Sequence, residues 1–306
     1  MSEWELKTPV AFFVFNRPDT TAQVFAEITR ARPPKLLIIA DGPRPNRPDD
    51  VVNCAAVRRL VQKVDWDCEV LTNFSETNMG CRNRVSSGLD WVFQSVPEAI
   101  ILEDDCLPTQ SFFRFCQECL RKYSTDTRIM QICGFNRVGA PGNYAYSYLY
   151  SKYGPIWGWA TWSRAWSSYD VDMSLWPKIK ADRAFGFCEN RQEVRWRTKL
   201  FDQMFNREID TWDYQWVFAK AINQGLSVVP SGNLISNIGF GANATHTTHP
   251  GEEKIERLEL EFPLKPPPYI VRHAEFDAAY LSSVLPGRFR LRSRIKRLFQ
   301  RTVKFR

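Results

Sequence analysis

Long apolar runs are missing from this sequence. No stretch approaches the roughly 18 consecutive apolar residues that a membrane-spanning helix needs, although 44% of the 306 residues are apolar. Met1-Ser2-Glu3-Trp4-Glu5-Leu6-Lys7 is charged and has none of the apolar core of a signal peptide. The expectation is therefore a soluble or peripheral protein of the cytosol. No self-similarity recurs at periods of about 20 to 50 residues, which argues against a solenoid or propeller. A chain of this length can bury one large core or two fused subdomains.

A disulfide or zinc framework is missing too. The eight cysteines (Cys54, Cys68, Cys81, Cys106, Cys116, Cys119, Cys133 and Cys188) are thinly spread. Cys116 and Cys119 form a C-x-x-C with no second pair at zinc spacing. They sit in Phe112-Phe113-Arg114-Phe115-Cys116-Gln117-Glu118-Cys119-Leu120, which has the periodicity of mid-helix. Packing is the expectation for them, and redox or zinc chemistry the alternative.

Excess positive charge is absent from all but one end. The net charge is +7, but residues 287–306 hold nine basic residues and no acid, so the remainder carries 32 basic against 34 acidic residues. Nucleic-acid proteins spread their charge over the folded domain, so no nucleic-acid partner is expected. Within the tail, Leu291, Ile295, Leu298 and Phe299 recur at three- to four-residue spacing. An apolar stripe on a basic helix suits an anionic membrane surface, here the inner face. A solvated tail is the plain alternative.

What is present is an acid run at a telling place. Ala99-Ile100-Ile101-Leu102 reads as a short buried strand, and Glu103-Asp104-Asp105 follows with no spacer. Three adjacent carboxylates repel one another, and hard oxygen donors suit Mn²⁺ or Mg²⁺. The alternative is a solvated strand-to-helix turn. The segments before it alternate. Pro9–Phe15, Lys35–Ala40 and Glu69–Leu71 read as strands, while Thr21–Arg30, Val51–Val64 and Cys81–Phe93 read as helices. That alternation predicts an α/β protein with a mainly parallel sheet flanked by helices. Asn16 and Arg17, Asp41, and Glu103–Asp105 each follow a strand, and so should gather at one sheet edge, where α/β sheets bind ligands.

The second half predicts helices over Thr109–Lys122, Arg195–Phe205 and Trp212–Ile222, and strands at Ile129–Cys133 and Leu226–Val229. Tyr144–Trp166 is rich in aromatics. Glycines flank Trp157 and Trp159; the rings are core, or one of the pair stacks on a sugar. Arg82 and Arg84 open a helix and either attract phosphate or lie at the surface. The expected organisation is a body over residues 1–262, split near 105 and 106 into a nucleotide-binding and an acceptor half. A proline-containing connector (263–286) and the basic tail (287–306) follow.

A strand ending in Asn16-Arg17-Pro18, a strand ending in Asp41-Gly42, the turn Asn78-Met79-Gly80 and the strand running into Glu103-Asp104-Asp105 resemble nucleotide-sugar glycosyltransferases of the GT-A fold. More narrowly, Glu-Asp-Asp followed by Pro108 and Phe112-Phe113, with Gly158-Trp159 and Trp212-Asp213, is similar to the Golgi N-acetylglucosaminyltransferase that begins complex N-glycan branching and its bacterial relatives. The likeness runs from about Pro9 to His246. It implies a Rossmann-like mixed sheet, with Asp105 ligating Mn²⁺ or Mg²⁺ and Glu103 and Asp104 facing the ribose and nucleotide. It implies Arg17 on the diphosphate, Asp41 on the base and Asp213 as catalytic base, although Asp213 also stands where a helix cap would. Tyr214 occupies the place of a second acid. A late histidine, here His246, serves some GT-A enzymes as a further metal or phosphate ligand. Asp170, Asp172, Asp202 and Asp210 are other acids open to the base role.

The expectation is a metal-dependent inverting transferase that moves a sugar from a nucleotide diphosphate, a UDP-sugar, to a glycan or glycolipid. The rivals are a sugar-nucleotide nucleotidyltransferase and a non-catalytic carbohydrate- or membrane-binding protein. Gly239-Phe240-Gly241-Ala242-Asn243-Ala244 matches a dinucleotide fingerprint but has no following helix pattern. A nucleotidyltransferase would want a Gly-rich basic loop where Asn16-Arg17-Pro18 stands.

Overall fold

The computed structural model describes residues 4–239 and 255–286. The first strand, β1 (Val10–Val14), is buried along its whole length, as a central strand covered on both faces must be. Pro18 opens helix α1 (Pro18–Ala31), where its missing N–H costs nothing. Its buried residues Thr21, Val24, Phe25, Ile28 and Ala31 form one stripe. β2 (Lys35–Ala40), α2 (Pro48–Val61), β3 (Glu69–Phe74), α3 (Gly80–Ser95) and β4 (Glu98–Glu103) repeat the unit. β1, β2, β3 and β4 pair in parallel in the order β3-β2-β1-β4, so β1 is covered on both edges.

The chain then leaves the simple alternation. A short strand β5 (Cys106–Pro108) precedes α4 (Gln110–Lys122) and β6 (Ile129–Cys133). The aromatic stretch holds two strands that periodicity did not reveal, β7 (Tyr148–Ser151) and β8 (Trp159–Trp162). Short helices α5 (Ser163–Trp166) and α6 (Trp176–Ala181) lead to α7 (Arg191–Phe205), α8 (Asp213–Ile222) and β9 (Leu226–Pro230). The large sheet has eight strands in the order β3-β2-β1-β4-β8-β6-β9-β7. β8 runs antiparallel to both β4 and β6, β9 runs parallel to β6, and β7 runs antiparallel to β9. The architecture is thus the mixed, mainly parallel α/β sheet expected.

A two-stranded ladder joins β5 to β10 (Ile235–Asn237), so the segment after β9 returns to the end of β4. Met173, Trp176, Phe201, Met204 and Phe218 make a smaller core among α6, α7 and α8. In the expected connector, α9 (Ala274–Val284) follows the prolines, and Phe276 packs with Cys133, Leu149 and Val229. Asp277 accepts from Ser151 Oγ and Arg272, which docks α9 on β7. All eight cysteines are free, and Cys116 and Cys119 are buried along α4, as packing predicts. Among the described residues no helix is long and apolar enough to cross a membrane. The basic tail lies outside the described residues.

Candidate functional site

Three parallel strands end side by side, and their ends build the site. Arg17 follows β1 and occupies the cap position of α1, where its carbonyl accepts the Thr21 N–H at 3.0 Å. Its guanidinium forms ion pairs with Asp104 and, at 2.9 Å, with Asp105, both beyond the end of β4. Burial works against the Arg17 charge, but Asp104 and Asp105 together outweigh it and raise its pKa. Asp104 is the more enclosed partner, at 4% side-chain exposure against 13% for Asp105. It also accepts the Phe15 N–H at 3.2 Å. Burial pushes the Asp104 carboxyl up to about 6, against the pull of Arg17. Glu103 keeps part of its surface, yet burial, Asp105 and Asp104 push its carboxyl up to about 8, and Asp213 adds to this. One guanidinium thus faces the two carboxyl groups of Asp104 and Asp105, with the raised Glu103 carboxyl beside them.

Asp41, beyond β2, is nearly buried and turned toward the loop before α3. One oxygen accepts the N–H groups of Gly42 and Met79, both at 2.9 Å, and the other accepts the Asn78 amide at 3.0 Å. Burial raises its carboxyl despite these donors. Asn16 does not face the crevice alone; its amide donates to Asp50 at 2.7 Å, and Asp50 also binds Arg44. Arg84 and Arg82 depart from the surface reading, and each keeps one buried side-chain nitrogen without a hydrogen-bond partner among the described residues, Arg84 Nε and Arg82 Nη1. Both are buried, Arg84 on the Asn73 carbonyl and side chain and Arg82 on the Val171 carbonyl and Asp172.

α8 and the turn before it carry two further acids. Asp213 is the first residue of α8, with Trp212 in the cap position, and it accepts from the Thr211 hydroxyl. Asp210 reaches the N-terminus of α3, where it accepts the N–H groups of Cys81 and Arg82 at 2.9 and 3.0 Å. Burial raises the Cys81 thiol, and the charges of Glu103, Asp213, Asp210 and Asp41 add to this. The other acids are used elsewhere. Asp170 closes the turn to Ser174, Asp202 binds Lys180 and the Trp176 indole, and Asp172 pairs with Arg82 and Arg207.

Gly239 brings the chain back to the site. The Ile238 N–H bonds the Asp105 carbonyl at 2.8 Å. A Cβ on Gly239 would overlap both the Asp105 carboxylate and the Arg17 guanidinium. Sequence reasoning missed this approach, as it missed the Asp41 and Asp210 contacts with the α3 loop. The turn Asn78-Met79-Gly80 was the one local signal, and Gly80 indeed takes a φ of +77° there.

Trp159 requires a correction. It is fully buried in β8, with its ring 5.6 Å from Trp212 and 5.8 Å from Trp216, so it packs the core and offers no face to a sugar. Trp157 keeps part of its surface and lies 4.6 Å from the Phe135 ring. His246 and the rest of the dinucleotide-like segment beyond Gly239 lie outside the described residues. Among the described residues no set of three His, Cys, Asp or Glu side chains is arranged to hold a metal. The donor chemistry still fits a divalent ion, because the acid run is hard and oxygen-bearing.

No family model matches the chain, and no curated protein does. Among solved structures it is similar to a mannosyltransferase from Pyrobaculum calidifontis in complex with GDP-mannose and Mn²⁺. The identity is 12%, over 52% of this chain and 45% of that one, with a TM-score of 0.36. The chain thus spans less than half the length of that enzyme. A 4-diphosphocytidyl-2C-methyl-D-erythritol synthase from Anaerococcus prevotii is 10% identical over 72% of this chain and 100% of that one, with a TM-score of 0.31. Mouse xyloside xylosyltransferase 1 is 9% identical over 42% and 53%, with a TM-score of 0.25. These are distant likenesses, and the fold stands on its own strand order.

Proposed function

We propose that this protein is a metal-dependent, inverting glycosyltransferase that uses a nucleotide-diphosphate sugar, a UDP-sugar, as donor. The observation that carries the reading is the meeting of Arg17, Asp41 and Glu103–Asp105 at three adjacent parallel strand ends, with the α3 N-terminus beside them. Such an edge is where open α/β sheets take phosphorylated ligands. Arg17 would bind the diphosphate, and Glu103 and Asp104 would line the ribose and nucleotide. Asp41, through the lone-pair capacity its three donors leave, would accept an N–H of the base.

Asp105, the more open member of its pair, would hold Mn²⁺ or Mg²⁺, with His246 as a candidate further ligand. Diphosphate oxygens and water would complete the shell, as hard cations prefer. When bound, the ion supplies Lewis-acid stabilisation of charge on the leaving diphosphate. Asp213 would take the proton of the attacking hydroxyl. Attack from the face away from the diphosphate inverts the anomeric centre. Trp157 keeps a ring edge that a sugar could meet. Residues 287–306 would hold the enzyme to an anionic membrane surface on the cytosolic side, where a glycan or glycolipid acceptor can be reached.

A thermal-shift screen of sugar nucleotides with and without Mn²⁺, followed by product identification, tests this. Mn²⁺-dependent stabilisation by a UDP-sugar and release of UDP are expected. Release of pyrophosphate would instead make the protein a nucleotidyltransferase, and ligand stabilisation without turnover would make it a binding protein. Asp105→Ala should abolish Mn²⁺-dependent turnover with the fold retained. Asp213→Asn should lower turnover far more than donor affinity; a change in affinity alone would remove its base role.

A further inference from the structure

We infer that Arg17 is the resident cation of the crevice, and that a divalent ion enters by exchange with it. The ion takes the place of Arg17 on Asp105. The guanidinium, still held by Asp104, turns the Nη2 N–H that Asp105 releases to the diphosphate. This deepens the proposed function and rests on it.

The two carboxylates that Arg17 bridges are unequal. Asp104 is the more enclosed, and the Phe15 N–H anchors it. Asp105 is the more open, and among the described residues its other oxygen meets only the weak Cys106 thiol donor at 3.5 Å. The Asp105 bond is therefore the one that can open without stranding a buried charge. The cap position of Arg17 on α1 fixes its backbone, and the backbone of Gly239 closes one side of the guanidinium. One cation thus serves two states, neutralising Asp105 before ligands arrive and the diphosphate afterwards.

Competition of this kind gives one substitution two effects of opposite sign. Removing Arg17 should tighten the metal and weaken the diphosphate. A merely structural arginine would weaken both. The test measures Mn²⁺ binding without nucleotide, from the electron paramagnetic resonance signal of the free ion, and UDP binding in saturating Mn²⁺ by calorimetry. Arg17→Met should bind Mn²⁺ about tenfold tighter than the native protein, and UDP about tenfold more weakly, as expected for loss of one charge-assisted contact. Arg17→Lys keeps a one-nitrogen cation that can still meet the carboxylates, as Nη2 alone does here, but has no second nitrogen to offer the diphosphate. It should fall between them, and it serves if the methionine variant does not fold. Arg44→Met removes the same charge from the Asp50 pair and should leave Mn²⁺ affinity unchanged. Unchanged or weaker Mn²⁺ binding in both Arg17 variants, or equal tightening in Arg44→Met, overturns the exchange. Asp105→Ala separates the two levels. If it binds Mn²⁺ as the native protein does, the metal reading itself fails and the exchange with it. If it loses Mn²⁺ while the Arg17 variants bind no tighter, only the exchange fails.

Discussion

The carboxylate of Asp210 accepts the backbone N–H of Cys81 at 2.9 Å across 129 residues of sequence. It takes the next N–H, that of Arg82, with its other oxygen. Helix α3 has no side-chain cap of its own and no acid in its first turn. Asp210 supplies both from a distance, and Gly80 leaves room for it. The contact ties the turn before α8 to the start of α3.

Asp210→Ala should therefore cost about 1–2 kcal/mol, the usual price of a lost cap, read as a lower denaturation midpoint. Asp210→Asn keeps an acceptor oxygen and should cost less. Equal stability of native protein and alanine variant would mean the cap contributes nothing.

Gly239→Ala should destabilise the protein by about 1–3 kcal/mol, because its Cβ would overlap the Asp105 Cβ as well as the paired Asp105 carboxylate and Arg17 guanidinium. Displacing the Arg17 guanidinium from Asp105 should also change nucleotide binding. Calorimetric titration with UDP and Mn²⁺ checks this, and an unchanged affinity would make the close approach incidental.

Trp159→Ala should destabilise the protein by about 3–5 kcal/mol, as expected for an emptied aromatic core site. A sugar-stacking role would instead raise KM and spare the denaturation midpoint. Guanidinium unfolding read alongside donor KM separates the two.

Lys220 gives a pH signature. It is buried, donating at 2.6 Å to both Gln131 Oε1 and Ser227 Oγ, and burial lowers it from 10.5 to about 8. Below about pH 8 the folded protein must carry that buried charge, so the full penalty is present there. Between about 8 and 10.5 the unfolded chain binds one more proton than the folded one, so this term makes stability rise with pH. Unfolded cysteines ionise in the same range and oppose it. The measurable quantity is the difference between native protein and Lys220→Met. The native protein should gain stability relative to the variant from pH 8 to 10.5, and a pH-independent difference would refute the shift.

Much of the first half was legible because each element there is set by its own residues. Continuous apolar runs such as Val10–Val14 and Lys35–Ala40 fit only strands covered on both faces. The polar residues placed after them predict a gathering of Arg17, Asp41 and Glu103–Asp105 at one sheet edge, but not which of them pair. The second half was harder. Tyr148–Ser151 and Trp159–Trp162 are buried throughout, so no alternation marks them as strands. A glycine beside a tryptophan reads the same whether the ring faces solvent or three other tryptophans, and Trp159 faces the latter.

By itself the sequence determined the parallel β/α order, the acid run at the end of β4 and the confinement of basic charge to the tail. Those are local facts of composition and periodicity, carried by residues near one another in the chain. The tertiary structure alone decided that Arg17 bridges Asp104 and Asp105, that Asp210 caps α3 and that Gly239 closes on the pair. Each joins side chains or backbone that the sequence holds far apart. A carboxylate's partner is set by what packing brings within hydrogen-bond reach, and no window of sequence contains that distance.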